Sequence, residues 1–211
     1  MTLSASDYWD LIHAERARIV SMLDGLDIQQ WRSRSLCTEW TVEHVTAHLT
    51  AAANTGTWAW LRSITLAGFN AEKHNARRLA QHLGSTPQET GETFRDSVML
   101  TIAPTKDYAA WLGEVIVHGQ DIARPLGTEL TPDPDAVREV AAFFAAKDFA
   151  VNSRKTINGL TLEATDTAFT TGSGPLVRGP ILSLVMAMAG RGDACAELDG
   201  DGVAELCRRI D

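Results

Sequence analysis

The sequence predicts a mainly α fold: a helical bundle over residues 1–152 and a small α+β unit over residues 153–211. Two observations carry that expectation. Up to Val151, apolar residues recur at helical spacing between capping residues and glycine stops. After Asn152 the apolar runs shorten to strand length and turn residues crowd between them. The chain has 211 residues, 45% of them hydrophobic, enough for one main core with a small second domain.

The elements follow in order. Tyr8, Leu11, Ile12, Ile19, Val20 and Leu23 form an apolar stripe on a helix over about 5–24, stopped by Gly25. A short segment around Ile28–Trp31 and a loop over Ser33–Trp40 come next. Thr41 is an N-cap, and Glu43 sits in the first turn where the helix dipole favours it. That helix is expected to reach about Leu61, and 70–83 reads as helical too. Thr86-Pro87-Gln88-Glu89 is a capping box opening a helix to about Ile102. Asp107 caps a helix that Gly127 ends, and Asp133-Pro134 opens another to about Val151. Beyond Asn152 the sequence reads as strands at Leu160–Ala164 and Ala168–Thr171 and a helix at Ile181–Ala189. A strand at Ala194–Leu198, a turn at Asp199–Gly202 and a last helix at Val203–Arg209 complete the reading.

A formal net charge of -8 argues against binding nucleic acid or an anionic membrane by bulk electrostatics and leaves small molecules or other proteins as partners. Cys37, Cys195 and Cys207 are an odd number without CxxC spacing, so neither a disulfide framework nor a thiolate zinc site is expected, and a reducing cytoplasm fits. The N-terminus lacks a signal-peptide pattern, and the apolar run Ile181–Ala189 is too short to span a bilayer.

The chemistry concentrates on two helices. Glu114 and His118, four residues apart, point the same way, and Asp121 extends their line one turn further. On a 3.6-residue wheel they lie along one edge of the stripe Tyr108, Leu112, Val115, Ile116, Ile122 and Leu126. Gly113, Gln120 and Arg124 fall on the opposite, solvent side. On the Thr41 helix, His48 falls at the edge of the stripe Val45, Leu49, Ala52 and Gly56, while Glu43, Thr46 and Thr50 face away. If the two helices are neighbours, two imidazoles and a carboxylate meet, leaving a fourth position open, as a catalytic zinc requires. An i, i+4 Glu–His pair also arises as a plain helix-surface pair. His44, His48 and His118 form a competing ligand set, and His13, His74 and His82 have no partner pattern. Cys37 reads first as a small buried apolar residue, and Trp40, Trp58 and Trp111 either wall a pocket or pack the core.

Three stretches, in order, resemble the mycothiol-dependent maleylpyruvate isomerase family, part of the DinB-like metalloenzyme superfamily. They are Ser35–Val42 leading into Ala47-His48-Leu49, then Glu114–Ile122 leading into Arg124–Gly127, and last Gly174–Pro180 with Ala189-Gly190-Arg191. The resemblance covers nearly the whole chain. It implies a DinB-like four-helix bundle holding Zn2+ or another divalent metal through His48, Glu114 and His118, followed by a sterol-carrier-like α+β domain. It implies mycothiol, the small thiol of actinobacteria, as cofactor or co-substrate, and a small electrophile such as maleylpyruvate as substrate. The enzyme would be an isomerase or an S-transferase, a cytoplasmic monomer or homodimer. His44 departs from the family pattern, where an aspartate or another polar residue is common. Asp121 is the candidate outer acceptor for a ligand imidazole. Arg191, ahead of Arg178, is the candidate clamp for a substrate carboxylate. The competing readings are a metal-dependent hydrolase using the same ligands and a non-catalytic helical metal-binding protein.

Overall fold

The computed structural model describes residues 3–37, 39–57 and 78–210. The expected helix beyond Thr57, Trp58, His74 and most of the expected helix over 70–83 lie outside these residues. The chain divides into two compact units, Met1–Thr131 and Pro132–Asp211. Packing thus draws the division earlier than the composition change after Asn152, because the helix opened by Pro134 packs within the second unit.

In the first unit, α1 (Ala5–Leu23) starts at a capping box in which Ser4 and Asp7 exchange hydrogen bonds. A short α2 (Ile28–Arg32) is capped by Asp27. Thr41 caps α3 (Val42–Ala53). Thr86 caps α4 (Pro87–Asp96), which ends well before Ile102. The carbonyls that would extend α4 turn inward instead, toward the Arg16 guanidinium. α5 (Tyr108–Leu126) follows Asp107, whose carboxylate makes no cap bond and accepts from Thr105 Oγ1 instead. Gly127 ends α5 at φ 61°, a left-handed conformation that favours glycine.

α1, α5, α3 and α4 pack in a closed ring, α1 on α5, α5 on α3, α3 on α4 and α4 on α1: a four-helix bundle. Ile12, Ile19, Leu49, Phe94, Leu112 and Ile122 are among its fully buried side chains. Each helix therefore meets two neighbours, which corrects the sequence-based faces. Thr46 and Thr50 are buried, not solvated, and their hydroxyls donate to Val42 O and Thr46 O. Gly113 and Gln120 are buried as well, and Gln120 donates to Leu130 O at 2.7 Å. A Cβ on Gly119 would stand 2.9 Å from Leu130 Cδ2 and 3.1 Å from Ile19 Cδ1, so this glycine sets how closely α1 approaches α5.

In the second unit, α6 (Pro134–Ala146), shorter than expected, is followed by a one-turn α7 (Ser153–Thr156). Strands β1 (Thr161–Ala164), β2 (Thr170–Gly172) and β3 (Leu176–Gly179) form a sheet ordered β2-β1-β3, antiparallel between β1 and β2 and parallel between β1 and β3. β3 forms within the Gly/Pro-rich stretch Gly174–Pro180, where no strand is expected from the sequence. α8 (Ile181–Met188) packs against α6 and the sheet. Gly192–Glu197 is a 3-10 helix where a strand is expected, and α9 (Val203–Ile210) closes the chain. Cys195 and Cys207 are disulfide-bonded, which corrects the expectation of unpaired thiols: the 3-10 helix and α9 pack side by side and bring the two together. Among the described residues, no helix is long and apolar enough to cross a membrane.

Candidate metal centre

α3 and α5 are neighbours, and their contact brings His48 to Glu114 and His118. His48 Nε2 lies 3.1 Å from Glu114 Oε1. The rings of His48 and His118 meet edge to face at 4.8 Å between centroids. One ligand atom from each of His48, Glu114 and His118 falls within a 4.8 Å cluster, so these three side chains could hold one metal ion.

Each group is held from behind. A carboxylate only accepts, so His118 Nδ1 donates to Asp121 Oδ2 at 2.8 Å, which leaves Nε2 as the nitrogen offered to a ligand. Asp121 is fully buried, and its backbone carbonyl accepts from Leu36 N. Trp40 stacks obliquely over His48 at 4.9 Å. Burial alone would raise the Glu114 carboxyl. The hydrogen bond from His48 and the charges of His48, His118 and Arg16 together outweigh it and hold Glu114 below the usual carboxylate range.

His48 tests whether this set suits a cation. The residue is 8% exposed, and its Nδ1 is buried with no hydrogen-bond partner among the described residues. An imidazole buried with one nitrogen unsatisfied costs about 1–3 kcal/mol. Two imidazoles facing an ionised carboxylate form the borderline donor set that divalent zinc accepts. The residues fit the ion.

The structure separates the competing ligand sets. His44 Nδ1 accepts from Thr41 N at 3.2 Å and lies 2.8 Å from Thr41 Oγ1, so His44 closes the cap of α3 rather than joining His48. Trp111 Nε1 donates to Thr105 O and pins the start of α5. His13, which has no partner pattern in the sequence, is half-buried, stacked on Trp9 with Nε2 at 3.4 Å from Leu100 O. Arg191 belongs to the second unit, where its Nη1 donates to Ala189 O. Arg178 lies on β3 beside Asp199.

Arg16 near the centre escaped the sequence reading, and Cys37 departs from its first reading as a buried apolar residue. Arg16, in the middle of α1, is 4% exposed and within hydrogen-bond reach of the carbonyls of Ser97, Val98 and Leu100. Burial pushes its guanidinium down to about 10, against the raising effect of Glu114. Cys37 is half-buried, not core, and its thiol donates to Asp121 Oδ2 at 3.1 Å.

Residues 12–99 match the family model described as the mycothiol maleylpyruvate isomerase N-terminal domain. This stretch is similar to that domain family. Two solved structures, of a mycothiol-dependent maleylpyruvate isomerase and of a histidine-to-alanine variant, superpose on the chain with a TM-score of 0.67 each. They are 18% and 16% identical to it, covering 95% of this chain and 96% of theirs. The mainly helical architecture with its small sheet is therefore the isomerase fold over nearly the whole length. No curated protein matches the sequence. The family-model match includes His48, whereas Glu114 and His118 lie beyond its end.

Proposed function

We propose that this chain is a metal-dependent enzyme that works with mycothiol on a small electrophile such as maleylpyruvate, as an isomerase or an S-transferase. The observation that carries the reading is the convergence of His48, Glu114 and His118 in a chain with the maleylpyruvate isomerase fold. A divalent ion held there, zinc above all, would supply Lewis acidity at its open position, where it lowers the pKa of a bound thiol. The protein's own residues prepare that position. Glu114 is kept ionised by His48, His118 and Arg16. Asp121 fixes the His118 ring so that Nε2 faces inward. Trp40 covers one side of His48 and restricts water there. In this reading Arg191 binds a substrate carboxylate, a role that rests on the resemblance around Gly190-Arg191. In this reading the enzyme works in the cytoplasm, where small thiols are kept reduced and the Cys195–Cys207 bond is an exception.

The test is elemental analysis of tag-free protein purified without chelators, wild type beside His48→Ala and Glu114→Ala. The expected result is at least one zinc per chain in wild type and about one fewer in each variant. A titration with mycothiol and an assay with maleylpyruvate then follow. Wild-type protein that stays metal-free after incubation with zinc would overturn the ligand assignment.

A further inference from the structure

We propose that Cys37, His118 and Asp121 form a second cation site for a borderline divalent ion such as Zn2+, with the His118 imidazole bridging it to the His48–Glu114 centre. Ligand atoms from these three residues also fall within a 4.8 Å cluster. His118 Nδ1 lies 2.8 Å from Asp121 Oδ2. Cys37 Sγ lies 3.1 Å from the same oxygen and 3.7 Å from the same nitrogen. Tetrahedral zinc would hold nitrogen and oxygen about 3.4 Å apart, and sulfur about 3.6 Å from either. The sulfur–nitrogen edge is already at that spacing, and the two edges to oxygen open by about half an ångström to reach it.

The position of Cys37 is built rather than incidental. Its backbone N donates to Ser35 Oγ, which in turn donates to Trp40 O, and Trp40 N donates to Cys37 O. Leu36 N donates to the carbonyl of Asp121 itself, tying this loop to α5 at the residue the thiol touches. Thiolate with imidazole selects zinc or cobalt over magnesium or calcium, whose preference is for oxygen alone. Coordination displaces the thiol proton and the His118 Nδ1 proton to solvent. Two ions sharing one imidazole repel, and only this site must also shed two protons and open two edges, so it fills after the His48–Glu114 centre and binds more weakly. The site uses the nitrogen of His118 that the first centre does not, and its test does not depend on that centre being catalytic.

The test is a Co2+ titration of full-length, tag-free protein, followed by bound-metal stoichiometry and by the near-ultraviolet thiolate-to-cobalt charge-transfer band. Wild type is expected to take two equivalents, with the band growing only with the second. Cys37→Ser and Cys37→Ala should take one equivalent and show no band. His48→Ala should lose the first equivalent and keep the band. If His48→Ala changes nothing while the band still needs Cys37, the centre proposed above fails and this site stands. Absence of the band at every loading in wild type overturns the site. So does a second equivalent that survives both Cys37 variants.

Discussion

Asp121 Oδ2 accepts from His118 Nδ1 at 2.8 Å inside α5, one turn beyond the Glu114–His118 pair, and the aspartate is fully buried. The bond sets both the tautomer and the rotation of the His118 ring. Asp121→Asn keeps the shape and removes the charge, so the ring loses most of its restraint. Its expected effect is a zinc affinity about 10–100-fold lower at the His48–Glu114 centre, with the helical signal unchanged. The measurement is competition against a chromophoric chelator in a Cys37→Ser background, which isolates the first ion. Unchanged affinity would reduce Asp121 to a packing role.

Arg16 links the same centre to the opposite side of the bundle. It is buried and within hydrogen-bond reach of the three carbonyls past α4, and its charge helps to hold Glu114 ionised. Arg16→Met leaves those carbonyls without their donor and Glu114 without one of its cations. The expected loss is about 2–4 kcal/mol in urea unfolding of metal-free protein. The pH dependence has a defined sign. Glu114 is depressed in the folded state, so its contribution is fully present above the unfolded carboxylate value. That contribution is lost as pH falls through the lower folded value. In Arg16→Met the folded value moves up toward the unfolded one, so the decline should be smaller and end at higher pH, and Glu114→Gln should lack this component altogether. An identical acid profile in all three proteins would remove Arg16 from the electrostatics of the site.

The line Glu114–His118–Asp121 was legible in the sequence because helical spacing alone stacks those side chains on one edge. The partner of that line was legible only through the His48 stripe edge, and the structure supplies the helix contact that joins them. The opposite face of α5 was not legible. A wheel drawn for one apolar stripe treats Gly113 and Gln120 as solvated, whereas α5 lies between two helices and Gly119 admits Ile19 and Leu130. Arg16 sits in Glu15-Arg16-Ala17-Arg18, which looks like any charged face. Only carbonyls some eighty positions along the chain make it a core residue. Cys37 carried no periodic signal because it is in a loop. Strand β3 was hidden by its glycine and proline flanks, and the 3-10 helix Gly192–Glu197 is too short for periodicity to tell it from a strand.

Cys195 and Cys207 close a loop with a sequence separation of 12 and fasten α9 to the 3-10 helix before it. α9 has other attachments. Leu206 is fully buried, and Arg209 Nη1 donates to the carbonyls of Thr156 and Asn158 at 2.7 and 2.8 Å. The second unit should therefore remain folded without the bond but lose stability. The loop-closure entropy removed from the unfolded chain is worth about 3 kcal/mol for a loop of this length. The prediction can be read unit by unit, because all six tryptophans precede Pro132. In urea, tryptophan fluorescence follows the first unit, while far-ultraviolet circular dichroism follows both. Cys207→Ser, or a reductant on wild type, should shift a circular-dichroism transition to lower urea and leave the fluorescence transition in place. If reductant moves neither signal while Cys207→Ser does, the two thiols are unbonded in solution and pack as ordinary apolar groups. If both signals move together, the two units unfold as one.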